Sequence, residues 1–207
     1  MALSAIALNC TLKRSGSEPS SSDKMIELLA GELKKHGVEL RETIRVADHD
    51  IKPGVTSDEG EGDAWPDIRQ RVLGCDILIF ATPIWLGQMS SIAKRVLERM
   101  DAFLSETDDR GRMPSFGKVA VLGVVGNEDG AHHVTATVFQ ALNDVGWTIA
   151  AGGSDYWVGE AMQSKDFKDL EETPEPVAQG AAMLAANAVH LATMLKEKPY
   201  PGLPETK

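Results

Sequence analysis

The chain has 207 residues, which at roughly 150 residues per domain is enough for one full-sized core with some elaboration. Lys and Arg number 21 against 31 Asp and Glu, giving a net charge of −10 and a pI near 5.0, so a nucleic-acid backbone is not an expected partner. Hydrophobic residues at 43% and charged residues at 25% lie near globular averages and exclude disordered and fibrous classes.

Apolar runs of strand length alternate with longer segments of helical period, the pattern of a parallel sheet covered by helices on both faces. Residues 2–8 read as a buried strand. No basic residue precedes them and Thr11-Leu12-Lys13-Arg14 follows, so a signal peptide is not expected. The Ser-rich segment 9–22, with Gly16 and Pro19, reads as a loop. A helix is expected to open at Asp23, with Met25, Ile26, Leu28, Leu29 and Leu33 on its apolar face and Lys34, Lys35, His36 and Gly37 closing it. Val38, Leu40 and Ile44 alternate with polar residues, as in a half-buried edge strand. Residues 48–67 hold Pro53, Gly54, Gly60, Gly62 and Pro66 among Asp58, Glu59, Glu61, Asp63 and Asp67, and read as a solvated loop.

A short helix is expected over 65–73, then a central strand over 76–81, whose sequence DILIFA is nearly all apolar. A helix follows over 90–103, a strand over 118–125 and a break at 126–130. The next helix, 134–145, ends at Gly146; a strand over 147–151 and an Ala-rich helix over 177–195 complete the set. Five strands with crossovers predict an α/β, doubly wound parallel sheet. One domain is expected over 1–198, with an extended tail, 199–207, that carries Pro199, Pro201 and Pro204. The longest nearly apolar run, 77–87, is far short of the ~20 residues of a bilayer span and contains Pro83, so no membrane insertion is expected. Cys10 and Cys75 form no CxxC pair, which argues against zinc or iron–sulfur ligation and for reduced thiols in a cytoplasmic protein.

In an open parallel sheet, ligands bind at the carboxyl ends of the strands, where strand order reverses. Three loops converge there. The first carries Thr11, Lys13, Ser20, Ser21 and Ser22 ahead of a helix, and hydroxyls, N–H groups and a helix dipole together suit a monophosphate. The same residues also read as a helix cap within a polar loop. Neither GxGxxG nor GxxxxGK[ST] occurs in this loop, which argues against a tightly bound dinucleotide and against an NTPase. In the second loop, Pro83, Ile84, Trp85, Leu86 and Gly87 leave a buried strand; Pro83 and Gly87 shape a turn that can pass close to a flat ring, and Trp85 can line its edge or serve as a core or interface aromatic. The third loop presents Gly126, Asn127 and Gly130, whose N–H groups can stabilise developing negative charge, with His132 beside them. His132 and His133 are adjacent on a helix and share no face, so a metal pair is not expected.

The stretch Ala81-Thr82-Pro83-Ile84-Trp85-Leu86-Gly87-Gln88-Met89-Ser90-Ser91, followed by Lys94, resembles the NAD(P)H-dependent FMN reductase and quinone reductase branch of the flavodoxin-like superfamily, in which P-[IL]-[YW]-x-G precedes a helix start of small residues and a Lys. The resemblance spans roughly residues 4–157. It departs in the first loop, where Asn9-Cys10-Thr11-Leu12-Lys13 stands in place of G-S-x-R. It implies strand order 2-1-3-4-5, non-covalent FMN on the three loops, NAD(P)H as cosubstrate, a small-molecule electron acceptor such as a quinone, azo compound or free flavin, and a homodimer or homotetramer. No acid or base is required of the protein when a flavin supplies the redox chemistry, so no catalytic side chain is assigned. A flavodoxin-type one-electron carrier between proteins is the alternative, and the acidic charge suits it.

Overall fold

The computed structural model describes residues 2–161 and 163–204. Three strands form the centre: β1 (Ser4–Asn9), β3 (Ile77–Trp85) and β5 (Val119–Gly126), apolar and buried along nearly all their length. Strands covered on both faces read as continuous apolar runs, and these do. On either side lie β2 (Glu39–Arg45), whose side chains are mostly exposed or half-buried, and β6 (Thr148–Val158). The five strands pair in parallel in the order β2-β1-β3-β5-β6.

Helices α1 (Ser21–Lys35) and α5 (Glu175–Glu197) cover one face, packing Met25, Leu29, Leu184, Ala185 and Ala188 on Ala5, Ala7, Ile77, Ile79 and Val121. On the other face, α2 (Trp65–Leu73), α3 (Ser91–Met100) and α4 (Ala131–Asp144) bury Trp65, Ile68, Val96, Leu97, Val134 and Val138 against Ile6, Leu8, Phe80 and Leu122. Among the described residues, no helix is long and apolar enough to cross a membrane.

Several boundaries differ from the sequence expectation. A sixth strand, β4 (Gln88–Met89), folds back antiparallel on β3 through a two-residue turn, pairing Ile84 with Met89 and Trp85 with Gln88. The region therefore has six strands, and β3 runs four residues beyond Ala81. Helix α1 opens at Ser21 rather than Asp23, because Ser20 caps it: Ser22 N–H donates to Ser20 Oγ (3.1 Å) and Ser20 N–H to the Asp23 carboxylate (3.2 Å). Strand β6 continues past Gly152 and Gly153, where a bulge lets Ile149 to Ser154 face Ala120 to Leu122. Helix α5 ends at Glu197; residues 199–204 pack back on the loop before β5, where Leu203 N–H donates to the Arg110 carbonyl (2.7 Å). Residues 205–207 of the expected tail lie outside the described residues.

The segment 48–67 is not a uniformly solvated loop. The Asp63 side chain is fully buried against an equally buried Arg99 of α3, 2.7 Å away. Arg99 also donates to the carbonyls of Lys52 (2.9 Å) and Thr56 (3.1 Å), so one guanidinium ties the insertion to the helix. Burial alone would raise the Asp63 pKa, but Arg99 and the N–H groups of Glu59, Trp65 and Lys52 outweigh it and hold the carboxyl well below its usual range.

Candidate functional site

At the carboxyl ends of β1, β3 and β5 lies a cavity of about 210 Å³. Of the residues singled out from the sequence, Thr11, Lys13, Ser20, Ser21, Ser22, Pro83, Ile84, Trp85, Gly126 and Asn127 line it. Leu86, Gly87, Gly130 and His132 do not. Leu86, Gly87 and Gly130 lie one step back, in the joint between the second and third loops, and His132 lies beyond it.

At the end formed by the first loop, Asn9 organises the chain. Its side chain accepts from Thr11 N–H (3.0 Å) and donates to Asp23 (2.6 Å), which also takes two hydrogen bonds from Arg45 (2.6 and 2.5 Å). The three serines are not equivalent. Ser20 Oγ accepts the capping bond and Ser21 Oγ accepts from Lys168 N–H (3.2 Å), whereas Ser22 Oγ is fully buried and has no partner. A buried orphan hydroxyl costs about 1–3 kcal/mol unless something pairs with it. This one lies on the first turn of α1, where the helix dipole favours an anion. Lys13 stands nearby, its ammonium 2.9 Å from Glu18.

At the opposite end the wall is shaped by backbone. Leu86 and Gly87 turn β3 into β4 with φ of 53° and 73°, the positive values of the tight hairpin turn. Leu86 is 92% exposed, and its N–H donates to the Glu128 carboxylate (3.0 Å). Gly130 lies so near Gly87 that a Cβ on it would come within 2.8 Å of the Gly87 Cα and carbonyl oxygen. Ser90 closes the other side: its hydroxyl donates to the Cys10 carbonyl (2.7 Å), while its N–H donates to Thr82 Oγ1 (3.1 Å). Trp85, 53% exposed, stands at the rim.

Two of the residues singled out have further partners. His132 Nε2 lies 3.0 Å from the Tyr156 hydroxyl, on the far side of the third loop from the cavity. The Asn127 side-chain amide donates to the Gln163 carbonyl (2.9 Å), so it braces the segment after β6 rather than facing the cavity alone. That segment supplies residues the sequence reading missed: Trp157, Asp166 and Phe167 complete the wall, with Trp157 and Phe167 ring centroids 5.6 Å apart. Leu12 and Val125 also line it, and both adjoin residues already singled out.

A doubly wound sheet with this cleft at its switch point defines a flavodoxin-like α/β protein. The family model described as NADPH-dependent FMN reductase matches residues 6–163, and the chain belongs to that family. The family's members are flavoenzymes of the oxidoreductase class that hold FMN and take NAD(P)H as cosubstrate. The chain is 34% identical over 210 residues to 8-demethyl-8-aminoriboflavin-5'-phosphate synthase of Streptomyces davaonensis, covering 97% of this chain and 81% of the relative. It is 37% identical over 201 residues to a Mycobacterium bovis protein named divalent metal cation transporter MntH, covering 94% of this chain but spanning only 29% of that relative's length. A crystal structure of RosB with bound 8-demethyl-8-formylriboflavin-5'-phosphate superposes with a TM-score of 0.85 at 34% identity, covering 96% of this chain and 82% of that one. An NADH:FMN oxidoreductase, 18% identical with a TM-score of 0.62 and coverages of 99% and 97%, shares the fold. The residues present fit FMN: the orphan Ser22 hydroxyl and Lys13 suit a phosphate, and the apolar wall of Ile84, Trp85 and Trp157 suits a ring.

Proposed function

We propose that the chain is an NAD(P)H-dependent oxidoreductase that reduces a small quinone, azo compound, free flavin or similar acceptor, with FMN bound in the cleft through Thr11, Lys13, Ser20, Ser21, Ser22, Pro83, Ile84, Trp85, Gly126 and Asn127. The observation that carries this reading is one cavity with an unpartnered, buried hydroxyl at its charged end and aromatic walls at the other. FMN held there would supply the two-electron redox chemistry between NAD(P)H and the acceptor. The chain's own residues bind and orient. Ser22 and Lys13 hold the phosphate; Pro83 to Trp85 and Gly126 border the ring; N–H groups of the third loop face negative charge that develops on it.

Residues 1–198 act as one domain in this reading, in the cytoplasm. The exposed Trp85 at the rim and the exposed Leu86 on the adjoining turn support a homodimer or homotetramer whose second copy covers the cleft. Light scattering that returns the monomer mass rejects that assembly.

A second reading follows from the Streptomyces davaonensis relative, named as a synthase of a modified flavin phosphate, and from RosB, which holds such an intermediate. Here the flavin phosphate is the substrate. The experiment that separates the readings is an anaerobic visible spectrum before and after NADPH and then NADH, followed by the mass of the recovered flavin. Bleaching with unchanged mass supports the reductase. A changed mass supports the second reading, and bands that persist with both nucleotides at unchanged mass support the one-electron carrier.

A further inference from the structure

The connection between β6 and α5 is a strap laid across the amino end of α1. It is pinned at four points: Asn127 donates to the Gln163 carbonyl, Lys168 N–H to Ser21 Oγ, Lys24 Nζ to the Leu170 carbonyl (2.6 Å), and Phe167 is fully buried beside Trp157. Lys168 is thereby seated above the helix turn that carries the orphan Ser22 hydroxyl.

We propose that Lys168 is a second cationic ligand of the flavin 5′-phosphate, and that the strap closes the phosphate end of the cleft and makes the site select FMN over riboflavin; this rests on the reading of the cleft as an FMN site. Two lysines and three carboxylates meet at this mouth. Lys168 Nζ lies 3.0 Å from Asp169 and 3.5 Å from Asp166, and Lys13 pairs with Glu18 at 2.9 Å. The two groups feel each other, since Lys168 also favours the Glu18 carboxylate and Lys13 that of Asp169.

Their exposure decides which partners are exchangeable. The lysine side chains are 36% and 23% exposed, whereas Glu18, Asp169 and Asp166 are 75%, 44% and 40% exposed. Both lysines are less exposed than Glu18 and Asp169; Lys13 and Asp166 lie on the cavity wall, and Lys168 stands beside it, paired to Asp166 and Asp169. Ion pairs this exposed are worth little, so a phosphate can replace the carboxylates, which rehydrate at small cost, while both ammonium groups keep a charge-assisted partner. Riboflavin brings no such group and gains nothing from Lys168.

The test is a titration of the flavin-stripped full chain with FMN and with riboflavin, followed by flavin fluorescence, for wild type, Lys168→Gln, Lys168→Arg and Lys165→Gln. Lys168→Gln is expected to weaken FMN about tenfold or more and to leave riboflavin within about twofold. Lys168→Arg keeps most of the FMN affinity, and Lys165→Gln, an exposed change on the same strap, leaves both flavins unchanged. FMN affinity unaltered in Lys168→Gln, or an equal loss for both flavins, overturns the inference alone. Wild-type protein that binds neither flavin overturns the cleft assignment as well.

Discussion

At the end of the cleft proposed for the phosphate, the groups offered to a ligand are side chains: the unpartnered hydroxyl of Ser22, and Lys13 and Lys168, each held by an ion pair that can be exchanged. At the end assigned to the ring, Ile84 and Trp85 are held in place by a backbone joint behind the wall, made by the Leu86–Gly87 turn, by the approach of Gly130 to Gly87 and by Gly126 against Ile84. A side-chain site loses one bond per substitution. A backbone site has no such increments, because an added atom displaces two loops together.

The sharpest way to break this contrast is Gly130→Val. Its Cβ would meet Gly87 backbone at 2.8 Å, and its φ of +128° suits glycine, so flavin should be absent from the purified variant and its melting temperature lowered. Gly87→Val suffers only the strain of φ +73°, with its nearest neighbour 4.0 Å away, and should retain part of its flavin. Equal damage from both would mean that conformation, not close approach, governs the joint.

Next in size is Arg99→Leu, which strands the buried Asp63 beneath the helix that follows the ring-end hairpin. Urea unfolding should show a loss of about 3–5 kcal/mol. Because the Asp63 carboxyl is held below its usual range, the pair's contribution is present above the ordinary carboxylate pKa and is lost as pH falls through the folded value. Wild type should therefore lose more stability in acid than the variant.

Asp155 lies two residues before Trp157, its carboxylate beside Gly180 of α5, and shows the opposite sign. Burial pushes its carboxyl up to about 6 from 3.8, with only the Tyr156 N–H opposing, and one of its oxygens has no partner. The unfolded chain releases this proton first, so stability should fall as pH rises from 3.8 to about 6 and level off above. Asp155→Asn should remove that fall, up to about 3 kcal/mol, in a comparison of melts with wild type.

Smaller effects sharpen the contrast from each side. Ser22→Ala should weaken FMN by about 1–3 kcal/mol while the flavin-free protein is unchanged or slightly stabilised, because the hydroxyl has no partner without a ligand. Leu86→Asn relieves a bulky residue at φ 53° and should stabilise the turn by about 1 kcal/mol in thermal melts, the smallest expected change.

Much of the fold is legible in the sequence because buried parallel strands announce themselves: within SAIALN, DILIFA and KVAVLGVV the polar residues stand only at the ends. The misjudged boundaries have local causes. Ser21 and Ser22 look like loop until Ser20 is seen to cap them, and Gly152-Gly153 looks like an end until its bulge lets β6 resume. The strap carries no comparable signal: Lys165, Asp166, Lys168 and Asp169 are charged, and only Phe167, anchored beside Trp157, departs from them. Asp63 was hidden among other acids, because its difference from Asp58 or Glu61 is the guanidinium that folding brings to it.

The bond from Lys168 N–H to Ser21 Oγ joins residues 147 positions apart. A ribosome moving at about 5–20 residues per second delivers those two partners roughly 7–30 s apart. The first serines thus emerge long before the strap that bonds to them, and, if the cleft holds the phosphate as proposed, a nascent chain can present an open cradle but not a closed one. Firm retention of flavin becomes a property of the finished polypeptide, and a chain released early, before the strap, should let its flavin go.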